Sequence, residues 1–270
     1  MNNNLENKFS IENMRKLYSF YSPLRTSEDL SNCLSQTINY DIANSDIVSS
    51  VHTLYNELLT KFYPNEAAIK SAFSNQYFFT TDKHVSIYEL NAGSSRVDMC
   101  KVNGTSIAYE IKTDYDNFNR LDKQLNDYMQ IFEKIYVICS KKRLPEIKPY
   151  LPDICGIYSY TQTRTHQIRF HKERNAQLNP DICSPAQLDL FTKAEFILYF
   201  NCPKDLSRAK MKSFVLEHFS DTAINAAFKE AIKSKYRKNW TFLYQNHQKI
   251  LEIDYQWFFQ NEINPDLVYR

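Results

Sequence analysis

Glycine is nearly absent: the chain has three in 270 residues, at positions 93, 104 and 156. Tight turns between short strands call for glycine wherever φ must be positive. The scarcity disfavours an all-β sandwich and points to a helix-rich architecture with few hairpins. No apolar run reaches the roughly 20 residues that a membrane-spanning helix needs. The six cysteines (Cys33, Cys100, Cys139, Cys155, Cys183 and Cys202) include no C-x-x-C pair, so the common zinc spacings are missing. Several sit in apolar runs, as free thiols packed like small hydrophobes do, which fits a reduced, cytoplasmic compartment. The opening MNNNLENKFS is polar and does not read as a signal peptide. A charge excess is lacking too: 33 Lys+Arg against 31 Asp+Glu leave +2, so any nucleic-acid surface must be a local patch. There is no internal repeat and no low-complexity tract.

What is present is an ordinary globular composition, 43% hydrophobic and 24% charged. The length suits one large domain or a core with helical additions. Residues 96–139 organise the rest. Two alternating runs flank Asn103-Gly104, a strong hairpin signal; an amphipathic helix and an apolar run follow. In the second run Ile107, Tyr109 and Ile111 face one way, and Ala108, Glu110 and Lys112 the other. Asp98 lies in the first run. Strand interiors disfavour such charges. A solvated strand face with a weak ion pair is one explanation. Against it, both runs are otherwise apolar on both sides, as in a buried sheet, where charges need partners. Two carboxylates and a lysine converging there form the chemistry of a site for a hard divalent cation.

The ordered set R-x-D (Arg96, Asp98), Asn-Gly, Y-E-I-K-T-D-x-D (residues 109–116) and R-L-x-x-Q-L-x-x-Y (residues 120–128) resembles the PD-(D/E)XK nuclease superfamily. Within it the pattern looks like a largely uncharacterised bacterial and phage family, over about residues 63–160. The resemblance implies an α/β (α+β) fold: a restriction-endonuclease-like core with a mixed central sheet flanked by helices, plus N- and C-terminal helical additions. It implies Asp98 and Glu110 as metal ligands, with Mg2+ as cofactor and Mn2+ as a substitute. Lys112 would orient the attacking water. Glu66, from the phrase E-x-x-I-K-x-A-F, would assist from the first core helix, and Gln124 would reach the site. A first-turn glutamate is also favoured by the helix dipole alone, and a helix glutamine equally bonds to solvent.

Taken in order, residues 1–60 read as an N-terminal helical region. Ile11, Met14, Leu17 and Tyr18 share one face; Thr26 caps a second helix; a third starts near Asp46 and includes Ile47. Residues 61–175 form the nuclease-like core. In it Pro64 falls in a first helical turn, His84 is a surface or loop residue without a catalytic role, and Asp116 caps a helix over 117–132. Residues 176–270 form a C-terminal helical region, with helices expected over 188–200, 205–219 and 221–238. Arg164, Arg169, Lys172 and Arg174 lie in the most basic stretch and are the candidates for a phosphate backbone, a solvated face being the alternative.

The function these features imply is metal-dependent hydrolysis of phosphodiester bonds, with DNA ahead of RNA and no membrane partner. One alternative is a catalytically silent nucleic-acid-binding protein on a nuclease fold. Another is a protein–protein interaction or immunity factor, partnered or oligomeric through its helical ends. A register test follows. A regular two-residue turn at Asn103-Gly104 sets Asp98 opposite Tyr109 and puts Asp98 and Glu110 on opposite faces. A shared site needs one face, so an odd-length loop or bulge with Gly104 at positive φ is predicted. A regular hairpin in the structure would remove the site.

Overall fold

In the computed structural model, residues 8–39 and 50–269 are described; the expected helix start near Asp46 and Ile47 lies outside them. The elements in chain order are α1 Ile11–Phe20, α2 Ser27–Ile38, α3 Val51–Phe62 and α4 Glu66–Tyr77, then β1 Val85–Ala92, β2 Ser95–Asn103 and β3 Thr105–Lys112. Next come α5 Leu121–Met129, β4 Lys134–Ser140, α6 Leu144–Ile147, β5 Gly156–Gln162 and β6 Ile168–Arg174. The chain ends with α7 Ser184–Leu188, α8 Lys193–Phe200, α9 Arg208–His218, α10 Asp221–Asn246, α11 Tyr255–Asn261 and α12 Pro265–Val268. No helix among the described residues is long and apolar enough to cross a membrane.

The chain forms two compact units that cut across the three consecutive regions read from the sequence. The first joins residues 1–80, 161–169 and 241–270; the second joins 81–160 and 170–240.

The first unit is helical. Ser10, Thr26, Ser50 and Asn65 each cap a helix by accepting a backbone N–H from three residues on. Asn65, not Pro64, therefore sets the start of α4, and Pro64 stands before the cap. Met14 and Leu17 of α1 are fully buried, whereas Ile11 and Tyr18 remain about 40% exposed, so the apolar stripe is narrower than the sequence suggests. A buried carboxylate ties the chain ends together. Asp254 Oδ2 accepts from Tyr21 Oη at 2.8 Å and from Tyr269 Oη at 2.7 Å.

The second unit carries the sheet, in the order β1-β2-β3-β4-β5-β6. The first three strands are antiparallel; β3, β4 and β5 run parallel. β3, α5 and β4 form a β-α-β crossover, the connection that parallel strands require. Tyr109, Tyr136 and Tyr158 stack across β3, β4 and β5 on one face, with ring centroids 5.6 and 5.1 Å apart. The Tyr136 ring lies where a side chain at position 156 would project, so only glycine fits there.

Asp116 does not cap α5: its Oδ2 accepts from the Thr113 N–H and hydroxyl, each at 2.7 Å, closing a local turn. α5 starts four residues later than the capping residue implied. The helix expected over 188–200 is two helices, because Thr192 and Glu195 form a capping box that restarts the chain as α8. His84 is not a surface residue: it is fully buried against Trp240, centroids 5.1 Å apart. Burial, with Lys101 and Arg237 adding to it, pushes its imidazole down to about 4.

Burial pushes the Asp254 carboxyl up to about 6, against the lowering effect of its two tyrosines. The folded chain therefore binds a proton that the unfolded chain has released. The stabilisation is complete below about pH 4 and lost as pH rises through about 6, with a ceiling of about 3 kcal/mol. Thermal unfolding followed between pH 4 and 7 should show stability falling with rising pH, and Asp254→Asn should flatten that slope.

Candidate active site

The site forms where β2 and β3 part. Met99 pairs with Tyr109 and Asn103 with Thr105, which leaves Gly104 alone at the tip with φ 71°. This is the odd-length reversal predicted above, not a two-residue turn. One step beyond Met99–Tyr109, strand alternation puts Asp98 and Glu110 on a common face. Pairing stops there: the Ile111 N–H donates to Asp98 Oδ2 at 2.6 Å, so a carboxylate takes up a backbone donor and the two strands diverge.

Glu110 is 1% exposed, and charge that deeply buried has to be matched. Its Oε1 accepts from Lys112 Nζ at 2.7 Å and its Oε2 from Tyr128 Oη at 2.6 Å. Lys112 Nζ also donates to Gln124 Oε1 at 2.8 Å. The Tyr128 oxygen lies 2.8 Å from the Arg96 carbonyl as well. Having one proton, it donates best to the charged acceptor. Burial, then the neighbouring Glu110 carboxylate, raises the Tyr128 phenol well above its ordinary value, so it stays a donor. Leu125 and Tyr128 of α5 are buried, and Gln124 sits beside them. That stripe turns both polar tips toward the strand ends.

Glu89 of β1 is the member that sequence reasoning missed. One of its carboxylate oxygens lies within 4.8 Å of one from Asp98. Its side chain is 7% exposed and ion-paired with Arg96. The β1–β2 ladder pairs Tyr88 with Met99 and Leu90 with Val97 but skips Glu89, whose φ is 62°. A non-glycine residue held there costs about 1–3 kcal/mol. The available signal was the one that exposed Asp98: an acid inside an otherwise apolar strand.

Two further carboxylates fix the hairpins. Glu133 Oε2 accepts the Ser106 N–H at 2.6 Å, and Oε1 accepts from Lys229 and Asn225 at 3.0 Å each. Lys229 also donates to the Gly104 carbonyl at 2.6 Å. Burial alone would raise the Glu133 carboxyl, but these donors outweigh it and hold it below its usual value. Asp127 of α5 likewise accepts from Ser94 and Ser95 in the β1–β2 turn, at 2.9 and 2.6 Å.

The remaining candidates lie on several elements. Glu66 belongs to the first unit, where its Oε1 lies 2.6 Å from Lys70 Nζ. Arg164 and Arg169 are exposed and also belong to the first unit. Lys172 lies over the Tyr158 ring at 5.5 Å. Arg174 straps a loop, donating to the carbonyls of Cys155 and Pro152 at 2.6 and 2.7 Å. Alternation along β6 also puts Arg169 and Lys172 on opposite faces, so the basic run is not one stripe.

The profile of the family described as "Bacteriophage P4 protein cII" matches residues 36–256. The chain belongs to that family. Protein cII of Enterobacteria phage P4 is 34% identical over 77 residues, which span 28% of this chain and 29% of that protein. Among solved structures, a protein of unknown function from Silicibacter pomeroyi aligns with 20% identity over 36% of this chain and 65% of its own. Its TM-score of 0.28 is too low to carry an argument about fold. Within this cII-family chain, Glu133→Ala should strand the Ser106 N–H and the Lys229 ammonium. A loss of about 2 kcal/mol in urea unfolding is expected, with Glu133→Gln costing less.

Proposed function

We propose that the second unit carries a divalent-cation-dependent phosphodiesterase centre of the PD-(D/E)XK type, acting on nucleic acid with DNA ahead of RNA. One observation carries this reading: the Gly104 reversal puts Asp98 and Glu110 on one face, with Lys112 2.7 Å from Glu110. The donor set fits magnesium, or manganese in its place, since all the ligand atoms are hard carboxylate oxygens. Lys112 pairs with Glu110 and Arg96 with Glu89, so two of the three acids are already matched to a cation. Asp98, Glu110 and Glu89 would hold the cation, which would offset negative charge on the phosphoryl oxygens.

The chain's own groups do the rest. Hydrolysis joins a water oxygen to phosphorus and breaks the bond to the leaving sugar oxygen; the water gives up a proton and the leaving oxygen gains one. Lys112, held by Gln124, orients that water and offsets negative charge developing on the phosphoryl group. Tyr128 holds Glu110 in register. Glu66 is kept as an assisting acid. The six cysteines are all free, which supports a cytoplasmic location.

A second reading has an observation in its favour. Both Glu110 oxygens are engaged by Lys112 and Tyr128, as a catalytically silent nucleic-acid-binding protein would tolerate. The decisive assay offers linear, circular and single-stranded DNA, and RNA, with magnesium, manganese or EDTA. Asp98→Ala, Glu110→Ala and Lys112→Ala should each reduce cleavage at least about a hundredfold. Manganese titration calorimetry separates the roles: Lys112→Ala keeps its heat of binding, and Asp98→Ala and Glu110→Ala lose most of it. Cleavage by Glu110→Ala at the wild-type rate would sink this reading.

A further inference from the structure

The first unit holds an open cleft of about 690 Å³. One wall is the α3 end and the α4 face, with Lys61, Asn75 and Gln76; the other is the 165–169 segment, with His166 and Arg169. That volume falls in the range of small-ligand sites, which are mostly apolar. Here the apolar lining is reduced to Ala68, Ala72 and Ile168. A ligand that gains from this surface must bring its own charge and hydrogen-bonding groups. Two cations, Lys61 and Arg169, and the His166 ring face one acid, Glu252, whose Oε2 already accepts from Asn56 at 2.5 Å. The preferred ligand is therefore an anion.

The two cations are available for exchange. Lys61 pairs with Glu57 at 3.0 Å with both side chains about half exposed. Such pairs contribute little and yield readily to a phosphate. Arg169 uses one N–H toward Gln167 Oε1 at 2.9 Å, out of the five a guanidinium offers. Between them stands an aromatic platform. The His166 ring lies 4.7 Å from that of Phe62, which stacks on Phe9 at 4.5 Å. His166 adopts φ 61°, and Gln162 Nε2 pins the segment by donating to the carbonyls of Lys61 and His166, at 2.6 and 3.2 Å. Asn75 is fixed by Tyr255 Oη donating to its Oδ1 at 2.9 Å, so what it presents is amide N–H.

We propose that this cleft holds a single-stranded stretch of nucleic acid, with phosphates at Lys61 and Arg169 and a base against His166. Alternating cations and a ring are how strands are held without sequence preference. The amides of Asn75 and Gln76 suit base edges that only an unpaired strand exposes. The volume is of a size to take one or two nucleotides. The proposal extends the phosphodiesterase reading and takes the identity of the polyanion from it.

Anisotropy of a labelled oligothymidylate, measured in EDTA so that cleavage cannot intervene, tests it on the full chain. Lys61→Ala/Arg169→Ala should bind about tenfold more weakly, with a log–log salt slope shallower by about 1.4, or about 0.7 per lost phosphate contact. His166→Ala should weaken binding about tenfold and leave the slope unchanged. Lys249→Ala, an exposed lysine paired with Asp266, should change neither, which controls for net charge. Unchanged affinity and slope in the cleft variants would overturn the proposal. So would equal competition by duplex, or by a free mononucleotide. If the cleft variants lose binding while the wild-type protein cleaves nothing, the cleft stands and the phosphodiesterase reading falls. Normal binding by the cleft variants beside metal-dependent cleavage reverses that outcome.

Discussion

At Gly104 the chain reverses with φ 71°, and from that point the partner of every residue in β2 is fixed. Strand side chains alternate, so a shift of one residue exchanges the two faces along the whole strand. Asp98 and Glu110 share a face only because a single residue stands at the tip. The reversal is held from outside, by Lys229 on the Gly104 carbonyl and Glu133 on the Ser106 N–H. The geometry at the strand ends thus depends on groups placed in the β3–α5–β4 crossover and on α10.

The charges at those ends are arranged to make burial tolerable. Isolated, Glu110 would be strongly penalised. Instead an ammonium and a phenol meet its two oxygens, and the ammonium meets Gln124 in turn. A network in which each member has partners is rigid, and removing any one of them leaves another stranded. Rigidity is what a site for a small cation needs. The positive φ of Glu89 stores strain beside the same acids, and strain of that kind clusters where function constrains the backbone.

Much of this was legible in the sequence because strand periodicity is simple. Glu110 and Lys112 two residues apart must share a face, and Gln124 and Tyr128 one helical turn apart must point together. The odd reversal followed from requiring two acids to meet. Glu89 was overlooked although, like Asp98, it is an acid inside an otherwise apolar strand; only its positive φ could not be read from spacing. His84 was misjudged because polar residues are usually exposed, and packing against Trp240 overrides that tendency. The α5 start was misplaced because Asp116 had a nearer partner in Thr113. The grouping of residues 1–80 with 241–270 is a long-range property for which no local pattern codes.

That grouping bears on how the protein comes into being. A ribosome delivers the chain from one end, and domains generally fold as units when they emerge. The second unit can assemble once residue 240 is out. The first unit must wait, with α1 to α4 already synthesised, for the last thirty residues, among them Asp254 and Tyr269, which meet Tyr21. Since α10 runs unbroken from Asp221 to Asn246, its growth past Trp240 carries the chain from the completed unit into the incomplete one. During synthesis the apolar faces of α1 to α4 thus stay uncovered until residues 241–270 emerge.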